Sequence, residues 1–324
     1  MVGKLLVANR GEIAVRIMRT ASELGVGTVA VAPADDIEAL HVAVADDAVT
    51  LDGAGPGAYL HIDNVVAAAL ASGCDAVHPG YGFLAERADF SAACHDAGLA
   101  FIGPTPATLE LFGDKARARG HAAASGVPTP RGTAVIDDVD AASGFLDALG
   151  PGAAVVVKAA AGGGGRGMRV VDHPAELGHA IDRCASEAAA AFGDPAVYLE
   201  ELIPNARHVE VQVIGDGSGA VIELGERECS VQRSRQKLIE YTPAIGLGPQ
   251  VRDELLTSAV RLAQTVDYRS LGTMEFLVSD AGIVFIEGNA RIQVEHTVTE
   301  ATYGVDLVAA QLRLADGVAL ADLE

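Results

Sequence analysis

The sequence predicts a doubly wound parallel α/β sheet in the first third, followed by an α+β region with antiparallel strands. Three observations carry that reading. Helix-spaced and strand-like apolar segments alternate up to about residue 110, the pattern of successive βαβ units. A glycine-rich stretch, VVVKAAAGGGGRGMRVV at 155–171, lies between two strand-like runs rather than between a strand and a helix. From residue 208 onward, apolar and polar residues alternate and are broken by turn sequences such as IGDGSG and SDAG, as in antiparallel hairpins.

The first unit pairs KLLVA (4–8) with TVAVA (28–32) around GEIAVRIMRTASELG. There Ile13, Ile17, Met18 and Leu24 recur at helical spacing, and Gly25 suits the left-handed cap position. VVAAALASG then CDAVHPG, and DFSAACHDAG then LAFIGP, repeat the pattern. Open parallel sheets bind ligands beyond the carboxyl ends of their strands, so ANRGE and HPGYGFLAE are candidate functional turns. A helix is predicted from about 113 to 125, ending at Gly126, and VPTPRG reads as a proline-punctuated linker. The divisions expected are an N-terminal domain at 1–112 and a second at 113–324, with about 131–203 as a smaller lobe inside it. A further helix is predicted near 251–266.

Half the residues are apolar and 21% are charged, which suits a sizeable core and not wholesale disorder. The formal charge of −21 argues against a nucleic-acid partner. No run approaches the roughly 18 apolar residues of a membrane span, and MVGKLLVANRGEIAVRI does not read as a secretory signal. Cysteines 74, 94, 184 and 229 form no C-x-x-C pair and read as reduced thiols; the cytoplasm is the expected location. Against this acidity two basic clusters stand out: Arg227, Arg233, Arg235 and Lys237, and Lys158, Arg166 and Arg169 around the glycine run.

Gly162, Gly164 and Gly167 satisfy the dinucleotide fingerprint G-x-G-x-x-G, but that motif needs a helix after the glycines to receive the pyrophosphate. MRVV is strand-like instead, which counts against a NAD-binding enzyme. No Lys-Ser/Thr follows the last glycine, so it is no P-loop. Lys158 precedes the glycines, and strand, glycine loop, strand describes a hairpin able to fold over a phosphate. A plain surface hairpin is the alternative.

In TMEFLVSDAGIVFIEGNARIQVEH (273–296), Asp280-Ala281-Gly282 suits a three-residue hairpin loop. That register pairs Ser279 with Ile283 and sets Glu275 opposite Glu287. Facing carboxylates repel unless neutralised, and Mg²⁺, held by carboxylates and substrate phosphates, is a common solution. Steps of two from Glu287 reach Asn289, Arg291, Gln293 and Glu295, all on one side if the chain stays extended. RHVEVQV alternates likewise, exposing His208, Glu210 and Gln212. A solvated polar face is the alternative.

A lysine ahead of a glycine hairpin, with late carboxylates and an asparagine, resembles the ATP-grasp superfamily. ANRGEIAVRI, HPGYGFLAE, FIGP, GDK, GGGGRGMRVV, RHVEVQV, CSVQRSRQKLIE, EFL and RIQVEHTVTE follow in that order along the whole chain. Together they resemble the biotin carboxylase family of acetyl-, propionyl- and pyruvate carboxylases. The resemblance implies an ATP-grasp fold after the N-terminal domain, with 131–203 as a mobile lid. It implies that Lys115 and Lys158 contact ATP phosphates, with Gly164 and Gly165 closing over them. Glu200, Glu201, Leu202 and Ile203 would hold adenine, largely by backbone, and His208 and Arg235 lie near the nucleotide. Glu275, Glu287 and Asn289 match the ligands of Mg²⁺ (or Mn²⁺). Lys237, Arg291, Gln293 and the Val294 backbone match the bicarbonate pocket, and Glu295 matches the base. The implied partners are biotin on a carrier protein or domain and a carboxyltransferase subunit; the family's dimers make a homodimer the expected assembly.

The chain departs from the family pattern at Ser234, at Arg235 (commonly histidine) and at Gly288, where a larger residue is usual and a loss of packing under the metal site is expected. The family's later E-x-R-x-x-A-E motif is absent from this sequence, so an incomplete body with exposed sheet edge is expected. The competing functions are an ATP-grasp ligase for another carboxylate and a non-catalytic nucleotide-binding chain.

Overall fold

The structure, a computed structural model, describes residues 2–136, 138–160 and 167–323, except for the Phe192 side chain. Its first sheet holds β1 (Lys4–Val7), β2 (Gly27–Pro33), β3 (Asp47–Leu51), β4 (Ala76–His78) and β5 (Ala100–Phe101). The order is β3-β2-β1-β4-β5, all parallel. Leu5, Leu6 and Val7 are fully buried, as parallel strands covered on both faces require. Helix Gly11–Glu23 turns Ile13, Ile17 and Met18 inward, and Gly25 follows at φ +75°.

A second, three-stranded sheet runs β7 (Met168–Val171), β6 (Val155–Ala159), β8 (Val197–Glu201), antiparallel throughout. Val155, Val157, Val171, Val197 and Leu199 pack with Leu146 and Leu177 into a core of their own, under helices Val139–Leu149 and Leu177–Phe192. The third sheet is β11 (Gln236–Tyr241), β10 (Val221–Arg233), β9 (Arg207–Asp216), β12 (Arg269–Ser279) and β13 (Gly282–Asn289), in that order and antiparallel. Its apolar side joins the first sheet's core: Leu6, Val77 and Phe90 share one cluster with Val211, Met274 and Phe285.

The helix predicted from about 113 to 125 is Lys115–Ala124, preceded by a separate helix, Pro106–Gly113. Asp114 breaks them apart because its carboxylate accepts from Ala116 N at 2.9 Å and Arg117 N at 3.0 Å, starting a new helix. Three expectations are corrected here. The β12–β13 loop has two residues, not three: Ser279 pairs with Gly282. The chain does not stay extended after Asn289; it turns, and helix His296–Tyr303 follows. Finally, Glu210 and Gln212 are not exposed but buried, at 0% and 1% accessibility, because charged groups from β10 and β11 lie over them.

Candidate active site

A cavity of about 730 Å³ opens between the polar side of the third sheet, β6 and β7, and the loop after β4. The sheet register explains its charge. Arg227 on β10 pairs with Glu210 on β9, Glu210 with Glu275 on β12, and Glu275 with Glu287 on β13. Three carboxylates thus stand side by side, an arrangement that is unstable unless cations intervene.

Lys237 is the main intervening cation. Its Nζ lies 2.6 Å from Glu210, 3.1 Å from Glu275 and 2.6 Å from Glu295. Burial opposes its charge, yet Glu275 and Glu210 outweigh burial and raise its pKa. Burial likewise opposes ionisation of Glu275, but Lys237 and His208 hold its carboxyl well below the usual range. Glu295 is also lowered against burial, by Lys237. Glu287 goes the other way: loss of water and then the Glu275 charge push it up, and Lys115 Nζ stands 4.0 Å off. Of the two facing carboxylates, Glu287 is therefore the less compensated.

The other residues singled out by the sequence divide as follows. His208 Nε2 is 2.5 Å from Glu275, while its Nδ1 faces the Gln232 amide at 2.8 Å. That amide also donates to Cys229 O, so Nδ1 accepts and Nε2 carries the proton toward Glu275. Asn289 Nδ2 donates to Glu275 at 2.8 Å, and Gln293 Nε2 does so at 3.2 Å. Arg291 Nε pairs with Glu86 at 2.9 Å. Lys158 lines the cavity and pairs with Glu200, whose carboxylate is also 3.3 Å from Arg119. Val294, 60% exposed, sits at the cavity rim.

Glu200, Glu201, Leu202 and Ile203 are not among the cavity's lining residues. Glu201 N donates to Arg131 O and Leu202 N to Ala154 O, and the Glu201 carboxylate pairs with Arg131 at 2.8 Å. Gly164 and Gly165 lie outside the described residues. Arg235 Nη1 donates to Met168 O at 2.9 Å, joining the tip of β10–β11 to the strand that follows the glycine run. Ser234 and Arg235 are that tip, at φ +50° and +66°.

Sequence reasoning missed Glu86 and Arg227 as partners of the site. Glu86 had a signal, since it stands in HPGYGFLAE; Arg227 had only membership of a basic cluster. The expected packing loss at Gly288 does not occur: a Cβ there would stand 2.5 Å from Phe112 Cδ1, so the phenyl ring fills the space.

Glu210, Cys229 and Glu295 also converge closely enough for a metal, but the Lys237 ammonium already sits between the two carboxylates. Glu275 and Glu287 suit a hard cation better: the donors are oxygens, they face each other, and Glu287 is the less compensated of the two.

A family model described as "Biotin carboxylase, N-terminal domain" matches residues 1–109. Another, "Carbamoyl-phosphate synthase L chain, ATP binding domain", matches 114–323. The biotin carboxylase domain of Hydrogenobacter thermophilus 2-oxoglutarate carboxylase, solved as a dimer with MgADP, ADP and bicarbonate, superposes with a TM-score of 0.95 at 44% identity. The match covers 99% of this chain and 71% of that one.

The chain belongs to the biotin carboxylase family.

Biotin carboxylase from Campylobacter jejuni, solved as a β,γ-ATP complex, also superposes at 0.95, with 42% identity over 99% of this chain and 72% of that one. Mitochondrial pyruvate carboxylase from Rattus norvegicus is 49% identical over 99% of this chain, and pyruvate carboxylase from Bacillus subtilis is 46% identical over 98%. The chain spans only 28% of the length of each of these two pyruvate carboxylases. Among the described residues no helix is long and apolar enough to cross a membrane.

Proposed function

We propose that this chain carries out ATP-dependent carboxylation of biotin with bicarbonate. The observation that carries the reading is Lys237 held among Glu210, Glu275 and Glu295, with Glu275 also facing Glu287 across β12–β13. Glu275 and Glu287, assisted by Asn289, would hold Mg²⁺ (or Mn²⁺), which when bound offsets charge on the phosphoryl oxygens. Lys115 and Lys158 face the triphosphate; Lys158 would exchange its Glu200 partner for phosphate. Lys237, Arg291, Gln293 and the Val294 backbone hold bicarbonate in line with the γ-phosphorus, which places two mutually repelling anions at reacting distance.

Lys237 outweighs burial and holds the Glu295 carboxyl below its usual range, which favours the ionised form a base requires. It takes the bicarbonate proton; the freed oxygen attacks the γ-phosphorus, and the bond to ADP breaks to give carboxyphosphate. Carboxyphosphate then breaks down to CO₂ and phosphate; the phosphate takes the proton from N1 of the biotin ureido ring, and N1 bonds to the CO₂ carbon. The glycine hairpin and 131–203 lobe close over the nucleotide, excluding water that would hydrolyse the intermediate. Biotin arrives on a carrier protein or domain, a carboxyltransferase uses the product, and the chain works as a homodimer.

The test is phosphate release from ATP by the purified chain, with and without bicarbonate and biotin. Release that depends on both supports the function. ATP binding with no carboxybiotin identifies a non-catalytic nucleotide-binding chain, and stimulation by another acid but not bicarbonate identifies a different ligase.

A further inference from the structure

We propose that Arg227 is a positioning residue that fixes the donor side of the bicarbonate pocket from behind. The inference rests on the proposed function. Arg227 has 0% accessibility, so it touches no ligand. Its Nε donates to Glu210 Oε1 at 2.6 Å. Nη1 donates to Gln212 Oε1 at 2.9 Å and to Thr299 Oγ1 at 2.8 Å. Nη2 donates to Gln293 Oε1 at 3.0 Å. One side chain from β10 thereby ties β9 to the turn after β13 and to helix His296–Tyr303.

Two consequences reach the cavity. A guanidinium has donors and no acceptor, so only the amide oxygen of Gln293 can face Arg227. The Gln293 NH₂ must then point the other way, where it already donates to Glu275. A glutamine free to flip would offer an anion its oxygen in one of two orientations; this one offers N–H. The second consequence runs through Glu210. Its Oε1 is taken by Arg227 and its Oε2 by Lys237 at 2.6 Å. The carboxylate is thus half satisfied from behind, and it anchors Lys237 while leaving the ammonium turned toward the cavity. A lysine at 227 would bring one point charge and could not span four acceptors.

The experiment compares wild type with Arg227→Lys, following thermal unfolding, the KM for MgATP and half-saturation by bicarbonate. The variant is expected to raise bicarbonate half-saturation about tenfold or more while the MgATP KM stays within about twofold. On a Gln293→Ala background, Arg227→Lys should add little further to the bicarbonate effect, since both remove the same oriented donor. If both constants rise alike, or the two substitutions multiply in full, Arg227 is merely structural and the inference fails while the proposed function stands. If wild type shows no bicarbonate response, the proposed function fails and the inference goes with it. Should Arg227→Lys not fold, Thr299→Val removes one anchor of the same guanidinium; a rise of about threefold in bicarbonate half-saturation is expected, and an unchanged value overturns the inference.

Discussion

Glu287 stands directly across from Glu275 because Ile286 is an extra residue in β13. From Ser279–Gly282 to Phe276–Phe285 the register is uniform, and it steps by one between Phe276 and Glu275. Without that bulge Ile286 would face Glu275; with it, Ile286 and Glu287 both line the cavity. Bulges commonly re-aim a side chain in this way, and here the result is a facing pair of carboxylates.

That pairing gives the first prediction. Glu287→Gln removes a like-charge contact of about 0.5–1 kcal/mol, so the metal-free variant should unfold at a slightly higher temperature than wild type. Addition of MgATP should stabilise wild type and leave the variant nearly unmoved, with turnover falling about a hundredfold or more. Paired melting curves in EDTA and in MgATP check both halves. A variant still stabilised by MgATP to the wild-type extent would remove Glu287 from the metal site.

The same bulge shows what could be read from the sequence. The Glu275–Glu287 pairing was legible through the turn residues, yet by a route the structure corrects: the extra residue sits in the strand rather than in the loop. Either placement yields the same partners, and alternation alone cannot tell them apart because Ile286 and Glu287 occupy the same cavity wall. The parallel sheet was legible because both faces of β1 and β2 are buried, leaving uninterrupted apolar runs. Arg227 was not, since an arginine in a strand reads as a surface residue until the acceptors converging on it from β9 and from residues 293 and 299 are known. Phe112 and Gly288 stand far apart in sequence, and nothing in either segment announces their contact.

Phe112 and Gly288 supply the second prediction. Gly288→Val would drive a branched side chain into the Phe112 ring, where a Cβ already falls 2.5 Å from Cδ1. Overpacking of this kind costs about 1–3 kcal/mol, and Phe112→Ala alone leaves a cavity worth about 3–5 kcal/mol. Combined, the two should cost less than their sum, because each relieves the other's defect. Chemical unfolding of the four proteins closes the cycle; full additivity would mean the ring and the glycine do not share space.

His78 gives a third, in pH. It is fully buried on β4, with Nδ1 accepting from Gly80 N at 3.0 Å and Nε2 facing Gln311 Oε1 at 3.2 Å. Burial is the main cause that lowers its pKa to about 3, with His296 adding to it and the Gln311 bond opposing. The unfolded chain takes up this proton near pH 6.5 and the folded one does not until about 3. Stability is therefore complete above about pH 6.5 and is lost as pH falls toward 3, by about 2 kcal/mol at pH 5. His78→Gln should flatten the difference in unfolding free energy between pH 7.5 and pH 5.0 by about that amount; an equal slope in both proteins would contradict it.

Asp114 links the fold most directly to the proposed nucleotide contact at Lys115. Its carboxylate caps helix Lys115–Ala124 through Ala116 N and Arg117 N, and the first residue of that helix is Lys115, 4.0 Å from Glu287. Loss of the cap by Asp114→Ala should cost about 1 kcal/mol of stability. The fraying it causes falls on the one turn that carries Lys115. The KM for MgATP should therefore rise about threefold to tenfold, while bicarbonate half-saturation stays near the wild-type value. Asp114→Ser restores a capping oxygen without the charge, so it should recover most of the stability and most of the MgATP affinity together. If Asp114→Ala loses stability but keeps its MgATP KM, the cap supports the helix alone and Lys115 is held by other contacts.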